Sequence, residues 1–148
     1  HKDQAPLFPA RLSVYTLISN DVTAALETVG LDPYVGFMHA LRPGRPSLAL
    51  DIMEELRAYL GDRLVLSLIN RKQITGNQFL QQGDESIIMT DDARRTIISA
   101  WQARKKEQIQ HPFLNEKVSI GLLPHIQAMM LARYLRNDLD DYPVFLIQ

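Results

Sequence analysis

The sequence contains no cysteine. That absence excludes a disulfide framework and any thiolate metal site, and it fits a reducing compartment. There is no apolar run of the ~18 residues that a membrane-spanning helix needs, and no signal peptide. Together these argue for a soluble, cytoplasmic chain with no membrane partner. A dominant charge is missing too: 16 Lys+Arg against 17 Asp+Glu leave a formal charge of −1. No bulk field therefore advertises nucleic acid, and any phosphate binding must come from a local patch. Internal repeats and low-complexity segments are also absent, which excludes solenoid and linker architectures.

What is present is 148 residues with 46% hydrophobic content. That is enough for one sizeable core, whereas two independent domains would each be small. The start, HKDQAPLFPA, has no initiator methionine, so residues 1–148 are expected to be a single helical domain cut from a longer protein.

Helical periodicity dominates. Leu12, Tyr15, Leu17, Ile18, Val22, Leu26 and Val29 predict a first helix from Leu12 to Val29, with a break and cap at Ser19-Asn20-Asp21 and Gly30 as the C′ residue. VGFMHAL is expected to form a short helix before Pro43, Gly44 and Pro46 impose a tight loop. Ser47 then caps a helix to about Leu60, Gly61 marks a break, and DRLVLSLINRKQ continues as a helix from Asp62 to Gln73. NQFLQQGDESIIMT reads as a small hairpin of Gln78 to Gln82 and Ser86 to Met89. Thr90 caps a helix to about Gln108, and Val118 to Asn137 is the last helix, with Pro124 near its start. The apolar end of the closing DLDDYPVFLIQ is expected to pack. The fold class is mainly α, several helices with one small β-hairpin.

The chemistry concentrates in GFMHALRPGRPSLALDIMEELR, residues 36–57. At 100° per residue, Leu48, Ala49, Ile52, Met53, Leu56, Tyr59 and Leu60 share an arc of about 140°, the core face. Asp51 and Glu54 lie on the opposite arc about 60° apart, with Glu55 at its edge. Carboxylates at i and i+3 suit Mg²⁺ or Mn²⁺, and an imidazole from His39 shifts preference toward Mn²⁺. Arg42 and Arg45 flank Gly44 in the intervening loop, where guanidinium groups could hold phosphate oxygens beside a metal. Spacing alone nevertheless favours a plainer alternative, in which Glu54 pairs with Arg57 three residues on and His39 packs or caps.

Elsewhere the signals are weaker. Arg71-Lys72, Arg94-Arg95, Arg104-Lys105-Lys106, and Arg133 with Arg136 read as solvated faces that could also track a nucleic-acid backbone. His111 and His125 each adjoin a proline and read as structural, while Trp101 and Met129-Met130 read as packing. Ser13, Ser67 and Ser119 lack a nucleophile-elbow context.

The stretch GLDPYVGFMHALRPGRPSLALDIMEELR, residues 30–57, resembles the signature of the CRISPR-associated endonuclease that acts as the integrase of spacer acquisition. The likeness continues through DRLVLSLINRKQ, the hairpin, TDDARRTIISAW and residues 111–146, and is strongest to the enzymes of type I systems. It implies a metal-dependent DNA endonuclease and integrase that uses Mn²⁺ or Mg²⁺ and inserts spacer DNA into the CRISPR array by phosphodiester transesterification. It further implies double-stranded DNA as substrate, a homodimer in the full-length protein and a small ferredoxin-like partner subunit. This chain would be the C-terminal catalytic portion, without the N-terminal β-domain.

By the same resemblance His39 and Glu54 fall on metal-ligand positions, Asp51 on a position some relatives also use, and Arg42 and Arg45 on a DNA-facing loop. The family's first metal ligand, a glutamate well upstream of the histidine, has no counterpart here, so the fragment is expected to be a poor enzyme alone. Many relatives enter the first long helix with Asn-Ala-Leu-Leu-Ser, where this chain has Pro9-Ala10-Arg11-Leu12-Ser13. Two alternatives from other classes are a non-catalytic helical module that binds DNA or a partner protein, and a pure dimerisation domain.

Overall fold

The computed structural model describes residues 7–31, 54–82 and 86–141. The expected short helix at VGFMHAL, the Ser47 cap with the first part of its helix, and the packing of the apolar tail fall outside them. Helix α1 spans Leu7–Thr28. Residues 54–56 are helical and run through a π-helical turn, Arg57–Gly61, directly into α2, Asp62–Asn70. A hairpin follows, β1 at Phe79–Gln82 and β2 at Ser86–Met89, then α3 at Asp91–Lys105. Strands β3, Gln108–Gln110, and β4, Lys117–Ser119, lead into α4, Leu123–Leu135. The fold is mainly α, as expected.

Helix α1 is the hub. Ala10, Val14, Ile18, Val22 and Leu26, each four residues after the last, are at most 1% exposed. This i, i+4 stripe meets α2 with its π-helical turn, α3 and α4. Two expectations fail here. Leu12 is exposed, because the buried stripe runs through Ala10 and Val14 instead. The break at Ser19-Asn20-Asp21 is absent. Asp21 does not cap a second helix; its Oδ2 accepts from Trp101 Nε1 at 3.1 Å and lies 3.2 Å from Lys105 Nζ, both on α3. Trp101 is thus buried with its one polar atom satisfied.

The α1 terminus is legible in the sequence. Gly30 has φ +85°, its N–H reaches Glu27 O at 3.0 Å, and the Leu31 N–H reaches Leu26 O at 2.9 Å. These are the paired bonds of a Schellman motif with glycine at C′. The same pattern ends α2 earlier than Gln73, since Lys72 takes φ +56° and the Gln73 N–H bonds Leu68 O at 2.9 Å.

The first hairpin has the expected strands, with Phe79 opposite Met89 and Gln82 opposite Ser86. Thr90 caps α3, accepting from Ala93 N at 3.2 Å. That helix ends at Lys105 rather than Gln108, and the residues beyond it form a second antiparallel pair, with Ile109 opposite Val118. The last helix accordingly starts at Leu123, after a 3₁₀ turn at Ile120–Leu122, and Pro124 sits in its first turn where no N–H is needed.

His111 closes the turn between β3 and β4. It is fully buried; its Nδ1 accepts from Phe113 N and Leu114 N, each at 3.1 Å, and its Nε2 is 2.9 Å from Gln127 Oε1 on α4. Two donors on Nδ1 place the ring hydrogen on Nε2, which donates to Gln127. The ring fastens the turn to the last helix, in keeping with a structural role. His111→Ala should lower stability by about 2 kcal/mol, because it removes the buried bond to Gln127 and the acceptor of the Phe113 and Leu114 N–H groups. Chemical denaturation would read this as a lower midpoint at unchanged m-value.

Candidate functional site

Of the residues singled out as metal ligands or DNA contacts, Glu54 is described, whereas His39, Arg42, Arg45 and Asp51 lie outside the described residues. Among the described residues no group of three or more His, Asp or Glu is close enough to hold a metal ion. The site can therefore be built outward from Glu54.

The Glu54 carboxylate is largely exposed and pairs with Arg57, three residues on along the helix. This is the pairing that spacing alone favoured. An exposed ion pair contributes about 0–1 kcal/mol, too little to hold the carboxylate against a competing divalent cation. The Arg57 guanidinium in turn lies over the Tyr15 ring of α1, 5.7 Å from its centroid. Tyr15 donates its hydroxyl hydrogen to Asp62 Oδ1, and Arg11 Nε lies 3.1 Å from the same oxygen. Glu54, Arg57, Tyr15, Asp62 and Arg11 form one connected chain of polar contacts between α1 and the helix that carries the acidic face.

The backbone explains how α1 comes so close. A Cβ at Gly61 would lie 2.8 Å from Tyr15 Cε1 and 3.3 Å from Ile18 Cδ1. Gly61 is no helix stop, as the sequence suggested; it is helical, at φ −72° and ψ −49°, and its missing side chain admits the Tyr15 ring. The π-helical turn Arg57–Gly61 inserts one residue at this point, which resets the phase between the Glu54 face and α2. The buried set Leu56, Leu60, Leu64, Val65 and Leu68 stays continuous across it. Sequence reasoning missed Tyr15, Asp62 and Arg11 as neighbours of the acidic helix. No local spacing could reveal them, since Tyr15 and Asp62 are 47 residues apart.

The comparisons with known proteins bear directly on this stretch. Residues 10–103 match the family described as CRISPR associated protein Cas1. A CRISPR-associated endonuclease Cas1 of Chlorobaculum tepidum is 59% identical over 132 residues. The chain belongs to the Cas1 family. The match takes in 89% of this chain and 38% of the C. tepidum protein, so the chain spans well under half of that relative's length. Among solved structures, a casposase bound to integration product superposes with a TM-score of 0.75 at 22% identity, covering 92% of this chain and 39% of the casposase. A Cas6-RT-Cas1–Cas2 complex superposes at 0.69 and 23% identity, over 91% of this chain and 15% of that one. At these identities the two structures establish the Cas1 helical fold and leave residue roles to be argued from the chain itself.

Two predictions follow from the geometry around Glu54. Burial first, and then the hydrogen bond to Asp62 with that residue's negative charge, push the Tyr15 hydroxyl above its ordinary range, against the opposing pull of Arg11 and Arg57. The folded chain holds this proton more tightly than the unfolded one. Its contribution is therefore complete below the ordinary tyrosine value near pH ~10 and is lost as pH rises through the raised folded value. Between about pH 9 and about pH 11 the thermal midpoint should fall less in Tyr15→Phe than in the parent chain. Gly61→Ala should cost about 1–3 kcal/mol by overpacking against Tyr15, read as a lower denaturation midpoint.

Proposed function

We propose that this chain is the helical catalytic portion of a metal-dependent DNA endonuclease and integrase of CRISPR adaptation. The observation that carries the reading is 59% identity over 132 residues to a protein named as a Cas1 endonuclease. It is supported by the match of fold to a casposase caught on its integration product.

Glu54, His39 and Asp51 would hold the metal, and this donor set of carboxylates and one imidazole fits Mn²⁺ or Mg²⁺. When bound, such an ion supplies Lewis-acid polarisation of a phosphodiester and a nucleophile of lowered pKa. The chain's own contribution is positional. Arg57 orients the Glu54 carboxylate by its ion pair and is braced against Tyr15, while exposure leaves Glu54 open to a ligand. Arg42 and Arg45 would hold the DNA backbone. The substrate is double-stranded DNA, spacer and CRISPR repeat. The full-length protein would act as a homodimer with a small ferredoxin-like subunit, and the Cas6-RT-Cas1–Cas2 complex supports a second Cas component. No described helix is long and apolar enough to cross a membrane, and the working compartment proposed is the cytoplasm.

A second reading has one observation in its favour. The Glu54–Arg57 pair is what a merely solvated helix face would show, and on that reading the chain is a non-catalytic DNA-binding or partner-binding module. In the full-length protein, His39→Ala and Glu54→Ala should each lower Mn²⁺-dependent DNA cleavage or integration at least ~100-fold, about 2.7 kcal/mol of transition-state stabilisation. Full activity of both variants under the same metal would reject the site. Salt-dependent DNA binding that ignores metal and survives both substitutions, without any cleavage by the parent protein, would select the module instead.

A further inference from the structure

A groove of about 550 Å³ opens between α2 and α3, on the opposite side of α2 from the Asp62 contacts with α1. Its polar rim is Arg63, Ser67, Arg71 and Gln73 from α2 and its C-terminal turn, with Arg104 and Glu107 from the end of α3. Ala100 and Ala103 form much of the α3 wall, and their small side chains leave the guanidinium groups accessible. Three cations face one anion, and that anion is already taken, because Glu107 pairs with Arg104. Arg63 and Arg71 are exposed, and neither has an ion-pair partner among the described residues. Arg63 is held in place by stacking over the Tyr59 ring, 4.2 Å from its centroid.

We infer that this groove binds a nucleic-acid backbone at a site separate from the Glu54 face. The spacing selects a phosphodiester chain over a lone phosphate. Arg63 and Arg71 are eight residues apart, about 12 Å of helix rise. Along the axis of a duplex that distance takes in three to four phosphates of one strand, at ~3.4 Å of rise each. Guanidinium groups suit phosphate oxygens through paired N–H donors; Ser67 between the two arginines and Gln73 beyond Arg71 add neutral donors. The contact needs no metal and uses none of the residues proposed to hold one. It rests on the nucleic-acid reading only for the choice of polyanion.

The test is fluorescence anisotropy of the 148-residue chain with fluorescein-labelled single-stranded and duplex DNA, in EDTA, over a salt series. Arg63→Gln/Arg71→Gln should weaken binding at least ~10-fold and make the log–log salt slope on duplex DNA shallower by about 1.8, two phosphate contacts at ~0.9 each. Arg95→Gln/Arg136→Gln removes equal charge from other surfaces and should change binding less than about twofold. Arg63→Lys/Arg71→Lys should keep most of the slope, which separates charge from the stacking role of Arg63, and a thermal melt confirms that each variant is folded. If the groove pair and the control pair weaken DNA equally, the assignment is overturned. It is also overturned if poly-glutamate competes as well as DNA, because the groove would then be selecting acidic protein. Because the assay runs in EDTA, its result does not depend on the metal site proposed around Glu54, so failure of that site and failure of the groove give different results.

Discussion

The absence of a side chain at Gly61 sets the distance between α1 and the helix that carries the acidic face. Because a Cβ there would come within 2.8 Å of the Tyr15 ring, only glycine lets the ring lie against the backbone. From that position the Tyr15 hydroxyl reaches Asp62, the ring receives Arg57, and Arg57 reaches Glu54. Each contact depends on the one before it. The π-helical turn at Arg57–Gly61 belongs to the same arrangement. It lets Leu56 and Leu60 stay in the core together with Leu64, Val65 and Leu68, while shifting the phase of the polar residues between them.

Magnitudes separate what holds this junction together from what aims it. Burying Val14, Ile18, Val22 and Leu26 in the α1 stripe is worth about 1.5–3 kcal/mol for each side chain. The part-exposed pairs Glu54–Arg57 and Arg11–Asp62 contribute about 0–1 kcal/mol each. Packing therefore fixes where α1 and α2 sit, and the polar chain fixes how their side chains are turned. A carboxylate held by a weak, solvated pair is oriented and still exchangeable, a state compatible with the metal role proposed for Glu54.

Features set by local physics were legible in the sequence: the Gly30 terminus, the Thr90 cap, the hairpin strands up to Gln82 and from Ser86, and the Glu54–Arg57 pairing. Each depends on residues within a few positions of one another. The α1 face was misjudged because Leu12 and Tyr15 are larger than Ala10 and Val14, yet the small pair is what fits under the neighbouring helices. The second sheet was missed because Gln108–Gln110 and Lys117–Ser119 are three-residue strands flanked by helical patterns. Asp21 as a partner of Trp101, and Tyr15 as a partner of Asp62, pair residues 80 and 47 positions apart. The proposed metal ligands rest on the resemblance carried by residues 30–57, most of which lie outside the described residues.

The near-neutral charge of the chain looked at first like an argument against nucleic acid. Salt screens exposed charges over about 8 Å at physiological ionic strength, so a strand senses the charges near it and not the sum over the molecule. Helix α2 shows how a formal −1 can conceal two distinct surfaces. Asp62 is turned toward α1, where Arg11 and Tyr15 occupy it, and Arg63, about 100° further round, is turned toward α3. Among the described residues several acidic groups are committed to protein partners, as Asp21 is to Trp101 and Lys105 and Glu107 is to Arg104. Arg63 and Arg71 carry no such commitment among the described residues, and a polyanion meeting this face encounters positive charge although the chain as a whole has none to spare.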